Sequence, residues 1–278
     1  MILRRIGMTA AAALATCVVA YGILAAATTP RRDRTWVDEQ ARMPEAHITG
    51  DTLRVKDVRT FRFTARHEFT PAYADKVYDL SKLTSVWYVL TPFYLSFRGP
   101  AHSFVSFGFS DSTFLAVSVE ARREPGENYN VFTGLLRQYE LMYVVGDERD
   151  LIGQRAAFGT DRVYLYPIKV GPAKIRAMLV SMLERANQLR DHPEFYNTIT
   201  NNCTSNVIAH VNAVTPGLVG AGIRTVLPGY TDEIAYSLGL IDTKMTLEQA
   251  RDRYLINERA KKYLSDSLFS FRIRDASK

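Results

Sequence analysis

Cysteine is nearly missing from this 278-residue chain: there are two, Cys17 and Cys203. Cys17 sits inside an apolar N-terminal stretch, so no internal disulfide is to be expected, and no Cys/His cluster has the spacing of a metal site. Nor is there a glycine-rich phosphate loop, an internal repeat or a Lys/Arg-dense block in the body of the chain. These absences remove nucleotide-loop chemistry, solenoids and an electrostatic nucleic-acid footprint, and no cofactor is expected. A second long apolar run is lacking too. The net charge of +6, from 35 Lys+Arg against 29 Asp+Glu, is mild and suits an anionic membrane surface. What is plentiful is apolar residues, at 47% with 11% aromatics, enough for a sizeable core in one large domain or two small ones.

Residues 1–34 read as a membrane anchor or signal segment. Arg4 and Arg5 make a positive start, Ile6 to Ala27 carries no charge, and Arg31, Arg32 and Arg34 follow. Ala25-Ala26-Ala27 could serve as a cleavage site, but the apolar length favours an uncleaved transmembrane helix. Arginines on both flanks blur the orientation signal. Cys17 is read as a membrane-facing residue. Residues 35–64 read as a polar linker leading into a first strand, Val55 to Phe63, by its alternation of apolar and polar residues.

The chemistry of the chain is expected around Cys203. Asn201 and Asn202 are good N-cap residues, and Val207, Ile208 and Val211 recur at helical spacing behind them. Cys203 therefore falls in the first turn of a helix, where free N–H groups and the helix dipole favour a thiolate. The competing reading is a small buried core residue.

A thiolate nucleophile needs a base. Of the five histidines, His210 lies roughly two turns along the same helix, too far to serve. His192 precedes Pro193 at a helix end, and His47 and His67 lie in stretches read as exposed. His102 opens an alternating small/aromatic strand, Ala101 to Phe109, where a buried ring requires a partner. The strand continues through the turn Ser110-Asp111-Ser112 into a second strand, Phe114 to Ala121. With a three-residue loop, position 102 pairs with 120, and Glu120 lies opposite His102 on one face; a two-residue loop puts it on the other. Glu120 is thus a candidate orienting carboxylate, conditional on register, against the alternative of a solvated surface residue beside Arg122 and Arg123.

Elsewhere the aromatic-rich residues 72–95 read as a helix followed by a strand or membrane-facing loop. Tyr139–Val145 and Val163–Ile168 read as strands, and Gly171-Pro172 opens a core-packing helix to about Arg190. Gly217, Gly220 and Gly222 loosen a connector. Thr231 is expected to cap a short helix, and Thr246 with Gln249 forms a capping box for a final helix to about Leu264.

The order His-strand then Asn-Cys-helix resembles a circularly permuted papain-like fold, the group that includes lecithin retinol acyltransferase-like enzymes. More closely, Ala101–Phe109, Ser118-Val119-Glu120, Tyr139-Glu140-Leu141, Val163–Pro167, Phe195–Thr198 and Asn201-Asn202-Cys203-Thr204 resemble the periplasmic domain of Lnb-type lipoprotein N-acyltransferases. The resemblance covers roughly residues 65–215. It implies an α+β catalytic domain there, an antiparallel sheet packed with helices, and leaves 216–278 as a C-terminal helical extension. It further implies a Cys–His acyltransferase of the bacterial envelope, held at the inner membrane with its domain in the periplasm. The donor would be a phospholipid and the acceptor the N-terminal amine of a lipoprotein, with no nucleic acid involved. Cys203, His102 and Glu120 are then the catalytic candidates, with the oxyanion held by helix N–H groups supported by Asn202 and Asn201. One candidate span departs from the family's membrane portion. A cysteine peptidase or amidase acting on cell-wall peptides and a non-catalytic envelope binding module are the alternatives.

Overall fold

The computed structural model describes residues 2–94 and 97–275; the expected positive start, Arg4 and Arg5, lies outside the described side chains. The chain begins with helix α1 (Ile2–Ala27), then strands β1 (Glu45–Thr49), β2 (Thr52–Arg59), β3 (Arg62–Ala65), β4 (Glu68–Thr70), β5 (Tyr73–Asp79), β6 (Leu83–Pro92), β7 (Ala101–Phe109), β8 (Phe114–Arg122) and β9 (Glu140–Gly146). It continues with α2 (Glu148–Leu151), α3 (Gly153–Phe158), β10 (Tyr164–Pro167), α4 (Pro172–Asp191) and α5 (Cys203–Val214). Five short helices follow as α6 (Ile223–Val226), α7 (Thr231–Ser237), α8 (Leu247–Tyr254), α9 (Asn257–Tyr263) and α10 (Phe269–Arg272).

The result is an α+β architecture around one large sheet in the order β1-β2-β9-β8-β7-β6-β10, with β5 paired to β2. Its pairings are antiparallel except for a single parallel bridge between Arg59 and Gly146. Every residue of β7 is buried, as expected of a central strand covered on both faces. On one face Val105, Phe107, Val117, Val119 and Tyr143 pack with the apolar stripe of α4, Ile175, Leu179, Met182 and Leu183, and with Val207 of α5. On the other, Phe104, Ala116, Met142 and Val144 pack with Leu151, Ile152, Ala156, Ile256, Ala260 and Phe269.

The β7–β8 turn sets the register on which the site depends. Ser112 adopts a left-handed φ of 71°, Asp111 Oδ1 accepts from Thr113 N and Oγ1, and Phe109 N donates to Thr113 O at 3.0 Å. This is the three-residue loop with a closing left-handed residue. It pairs Phe104 with Ser118 and Gly108 with Phe114.

Several expectations are corrected. Residues 72–95 contain no α-helix among the described residues: β5 and β6 are joined by a single 3-10 turn, Leu80–Lys82, whose N-cap, Asp79, accepts from Ser81 N. The stretch expected as a linker supplies β1, which pairs with β2 along the edge of the sheet. The strand expected to run to Phe63 is broken after Arg59, where Asp150 takes both the Arg59 guanidinium and the Phe61 N–H. Thr231 is the first residue of α7 rather than its cap. The capping box at Thr246 and Gln249 is present. The helix behind it stops at Tyr254, because Ile256 N donates to Val163 O and its side chain is buried, before α9 restarts.

Among the described residues, no helix is long and apolar enough to cross a membrane. What α1 does present is Leu14, Val18, Val19 and Ile23, all exposed.

Candidate active site

Cys203 is the first residue of α5, as the sequence predicts. Asn202 caps it from an extended conformation: its side chain accepts from Ser205 N at 2.9 Å while Ser205 Oγ accepts from Asn202 N at 2.8 Å. The intrahelical ladder begins with Asn206 N to Asn202 O. The N–H groups of Cys203 and Thr204 therefore precede the ladder and have no acceptor within the helix. A bond of 2.9 Å between Ser103 Oγ and Thr204 Oγ1 pins the start of α5 to the start of β7.

The structure brings Cys203, His102 and Glu120 together. His102 Nε2 lies 2.8 Å from Ser118 Oγ and 3.1 Å from Glu120 Oε1, and Ser118 Oγ donates to the same Oε1 at 2.7 Å. The imidazole and the Cys203 thiol act on each other's titration, the ring favouring the thiolate and the thiolate favouring the charged ring. His102 is buried at 6% exposure and Cys203 at 5%.

Burial alone would hold both groups neutral. For Cys203 it pushes the thiol up, but the imidazolium charge and hydrogen bond, the Ser103 backbone N–H and Thr204 reverse this, leaving its pKa below the ordinary thiol value. For His102 burial is the largest influence and pushes the ring down, as does Arg155, but the Glu120 carboxylate and Cys203 together reverse this, so the ring titrates above its ordinary value. Burial likewise works against the Glu120 charge, yet His102 and Arg155 hold the carboxyl well below the usual range. All three shifts run in the direction that favours the charged form of each group.

The asparagines have a narrower part than expected. The Asn202 amide donates to Thr198 O at 2.7 Å as well as accepting from Ser205 N. Asn201 donates to Phe195 O and Glu194 and accepts from Asn206. Both side chains fix the helix start, whose Cys203 and Thr204 N–H groups have no acceptor within the helix.

Sequence reasoning missed four contributors. Ser118 shares the Glu120 face by strand alternation, a signal available from period two alone. Arg155, on α3, reaches Glu120 Oε1 at 3.3 Å and has no local signal in the sequence. Tyr129 and Tyr196, whose hydroxyls lie 3.1 Å apart, border the nucleophile; burial raises both phenols' pKa values, and the Cys203 charge adds to it.

The other histidines stand apart from the nucleophile. His210 is buried with Nε2 at 2.7 Å from Tyr143 Oη and Nδ1 at 2.8 Å from Ser181 Oγ, and burial lowers its pKa to about 4. His47 pairs with Glu45 in the open, and His192 ends α4. His67 lies in the lining of the cleft onto which Cys203 opens. Among the described residues no group of His, Cys, Asp and Glu is arranged to hold a metal ion.

Cys203, His102 and Glu120 open onto a cleft of about 590 Å³. Its lining combines apolar and aromatic side chains, Phe93, Tyr94, Tyr129, Val131 and Phe132, with polar ones, Gln40, Arg66, Arg123, Gln154, Arg155 and Asp161. A separate cavity of about 120 Å³ lies between α4, α5 and α7, lined almost wholly by aliphatic side chains and reaching Thr204 and Tyr88. A buried thiol beside an imidazole and a carboxylate is the set of groups that nucleophilic acyl chemistry requires.

In comparison with known proteins, the family model of the Lnb N-terminal periplasmic domain matches residues 69–229. No curated protein and no solved structure matches the chain.

Proposed function

The chain belongs to the Lnb N-terminal periplasmic domain family, and from that premise we propose that it is an envelope thiol acyltransferase with a permuted papain-like active site, held at the inner membrane by α1 with its domain in the periplasm. The observation that carries the reading is the Cys203–His102–Glu120 row at the floor of a half-apolar cleft. The apolar stretch Ile6–Ala27 and the exposed Leu14, Val18, Val19 and Ile23 support the anchor.

In the reaction, the Cys203 thiolate attacks the carbonyl carbon of a phospholipid acyl ester. A C–S bond forms, and the carbonyl electrons move to oxygen, where the Cys203 and Thr204 N–H groups receive the charge. Collapse breaks the ester C–O bond, and the leaving alkoxide takes the His102 proton. The N-terminal amine of a lipoprotein then attacks the thioester, His102 accepts the amine proton, a C–N bond forms and the thiolate returns. Glu120 holds the imidazole in orientation throughout and stabilises its charged form.

The polar part of the cleft lining favours a second reading, a cysteine amidase or peptidase for envelope peptides, in which water resolves the acyl-enzyme. One experiment separates the two. Full-length protein is incubated with phospholipid and the Cys203 peptide is examined by mass spectrometry. An acyl adduct that a lipopeptide amine discharges as an amide supports transfer; discharge as free acid alone supports hydrolysis. No adduct on a Cys203 that iodoacetamide alkylates overturns the acyl-ester reading.

A further inference from the structure

The mouth of the cleft exposes more apolar surface than a soluble rim requires. Phe132 is 75% exposed, and Tyr94, Val131, Leu136 and Ile199 are also open to solvent. They belong to separate segments that the fold draws together. Residues 129–136 form one side, and Thr198 ties Ile199 to them, its Oγ1 donating to Val131 O at 2.8 Å and its N to Gly134 O at 3.2 Å. Tyr94 stands with Val131 and Phe132 in the wall of the cleft. Exposed apolar side chains scattered singly need no explanation, but a contiguous set around an opening does.

The same loop is fastened to α1. Arg137, held at a left-handed φ of 57°, donates from Nη1 to Ala25 O at 3.1 Å and to Thr28 O at 3.5 Å, so it caps the C-terminal end of the apolar helix. Its guanidinium also lies 5.3 Å from the Phe195 ring centre, just before the polar run that leads to Cys203. Beyond α1, Arg31 N donates to Glu140 Oε1 at the start of β9, and Arg32 Nη1 donates to Arg190 O. The end of α1, the apolar rim and the cleft mouth are thus joined by direct bonds on one side of the molecule.

We propose that Tyr94, Val131, Phe132, Leu136 and Ile199 form a lip that inserts into the outer surface of the bilayer, so that the cleft opens onto lipid rather than water. The occupant is the bilayer and not a protein, because Arg137 joins the patch to a helix whose Leu14, Val18, Val19 and Ile23 are exposed and which is followed by Arg31, Arg32 and Arg34, the arrangement that suits acyl chains beneath anionic headgroups. The inference concerns docking and stands whether the thioester is resolved by amine or by water.

The test uses the full chain with Cys17→Ala and Cys203→Ser, which leaves a single introduced cysteine for a fluorescent label. Phe132→Cys places the label on the lip. Leu268→Cys places it beside α10, where Phe271 packs on Phe114 at the turn end of β8, the far end of the sheet from His102. Both proteins are reconstituted in phosphatidylethanolamine/phosphatidylglycerol vesicles containing brominated acyl chains. The expected result is quenching at position 132 several-fold stronger than at 268, with a blue-shifted emission. Equal quenching at the two positions, or none at 132, overturns the proposal. Since the protein is already inactive, the outcome is independent of the proposed reaction.

Discussion

Ser118 Oγ sits between His102 Nε2, at 2.8 Å, and Glu120 Oε1, at 2.7 Å, while the ring nitrogen and the carboxylate themselves approach to 3.1 Å. The imidazole is therefore oriented by two groups of one strand, both on the face that β8 turns toward His102.

Removing the carboxylate charge is expected to matter more than removing the hydroxyl. Glu120→Gln keeps the shape but withdraws the main charge that raises His102. It should slow acyl transfer on the order of 10- to 10⁴-fold with little change in substrate affinity. Ser118→Ala leaves Glu120 in reach and should cost much less. Steady-state kinetics on both variants check this; a Glu120→Gln enzyme with undiminished kcat would remove Glu120 from the mechanism.

The β7–β8 hairpin is where sequence reading went furthest. A three-residue loop fixes which residues oppose one another, so pairing 102 with 120 required only counting, and the observed register follows that count. The cap at Asn202 was legible because Asn at an N-cap precedes a period of apolar residues. Arg155 was not legible: it reaches Glu120 from α3, 35 residues along the chain, through a contact that no local pattern encodes. The strand β5 was misread as a helix because aromatic and β-branched residues such as Tyr73, Val77 and Tyr78 support either structure in short windows, and the reading of β6 stayed open between strand and loop because burial on both faces erases its alternation. The break after Tyr254 depends on Ile256 joining Val163, again a tertiary bond.

His210 gives the protein an acid-sensitive core. Its folded pKa of about 4 lies below the ordinary value near 6.5, so the unfolded chain binds the proton more readily. The contribution of this residue is intact above about pH 6.5 and declines as pH falls toward 4, by an amount on the order of a few kcal/mol. Urea denaturation between pH 7 and 4 should show a weaker pH dependence for His210→Gln than for the parent protein. Identical slopes would mean that the ring is not neutral in the fold.

Gly229 is packed against the segment that leads into β7. Its N–H donates to Gly99 O at 3.0 Å, and a Cβ at this position would fall 1.2 Å from the Arg98 carbonyl oxygen. Backbone cannot step aside as a side-chain tip can. Gly229→Ala should therefore destabilise the fold by about 1–3 kcal/mol and displace the approach to His102. A thermal melt together with thiol reactivity of Cys203 measures both effects; an unchanged melting temperature would contradict the packing.

The lowered Cys203 and raised His102 pKa values govern how reactivity depends on pH. Cys203 titrates below the ordinary thiol value because His102, Ser103 N–H and Thr204 outweigh its burial. Alkylation by iodoacetamide should consequently be appreciable at neutral pH, and its rate should rise through an inflection lower than that of a free thiol. In His102→Ala the burial cost stays while the main opposing charge is gone. The inflection then moves to alkaline pH, and alkylation at pH 7 should fall about tenfold for each unit of the shift. Acyl transfer follows a different course on the alkaline side. The leaving alkoxide needs the His102 proton, so transfer should decline above the raised His102 pKa, while alkylation, which needs only the thiolate, should hold its plateau. Parallel profiles of the two rates separate nucleophile from acid, and an alkylation profile in His102→Ala that matches the parent protein would break the link between the two residues.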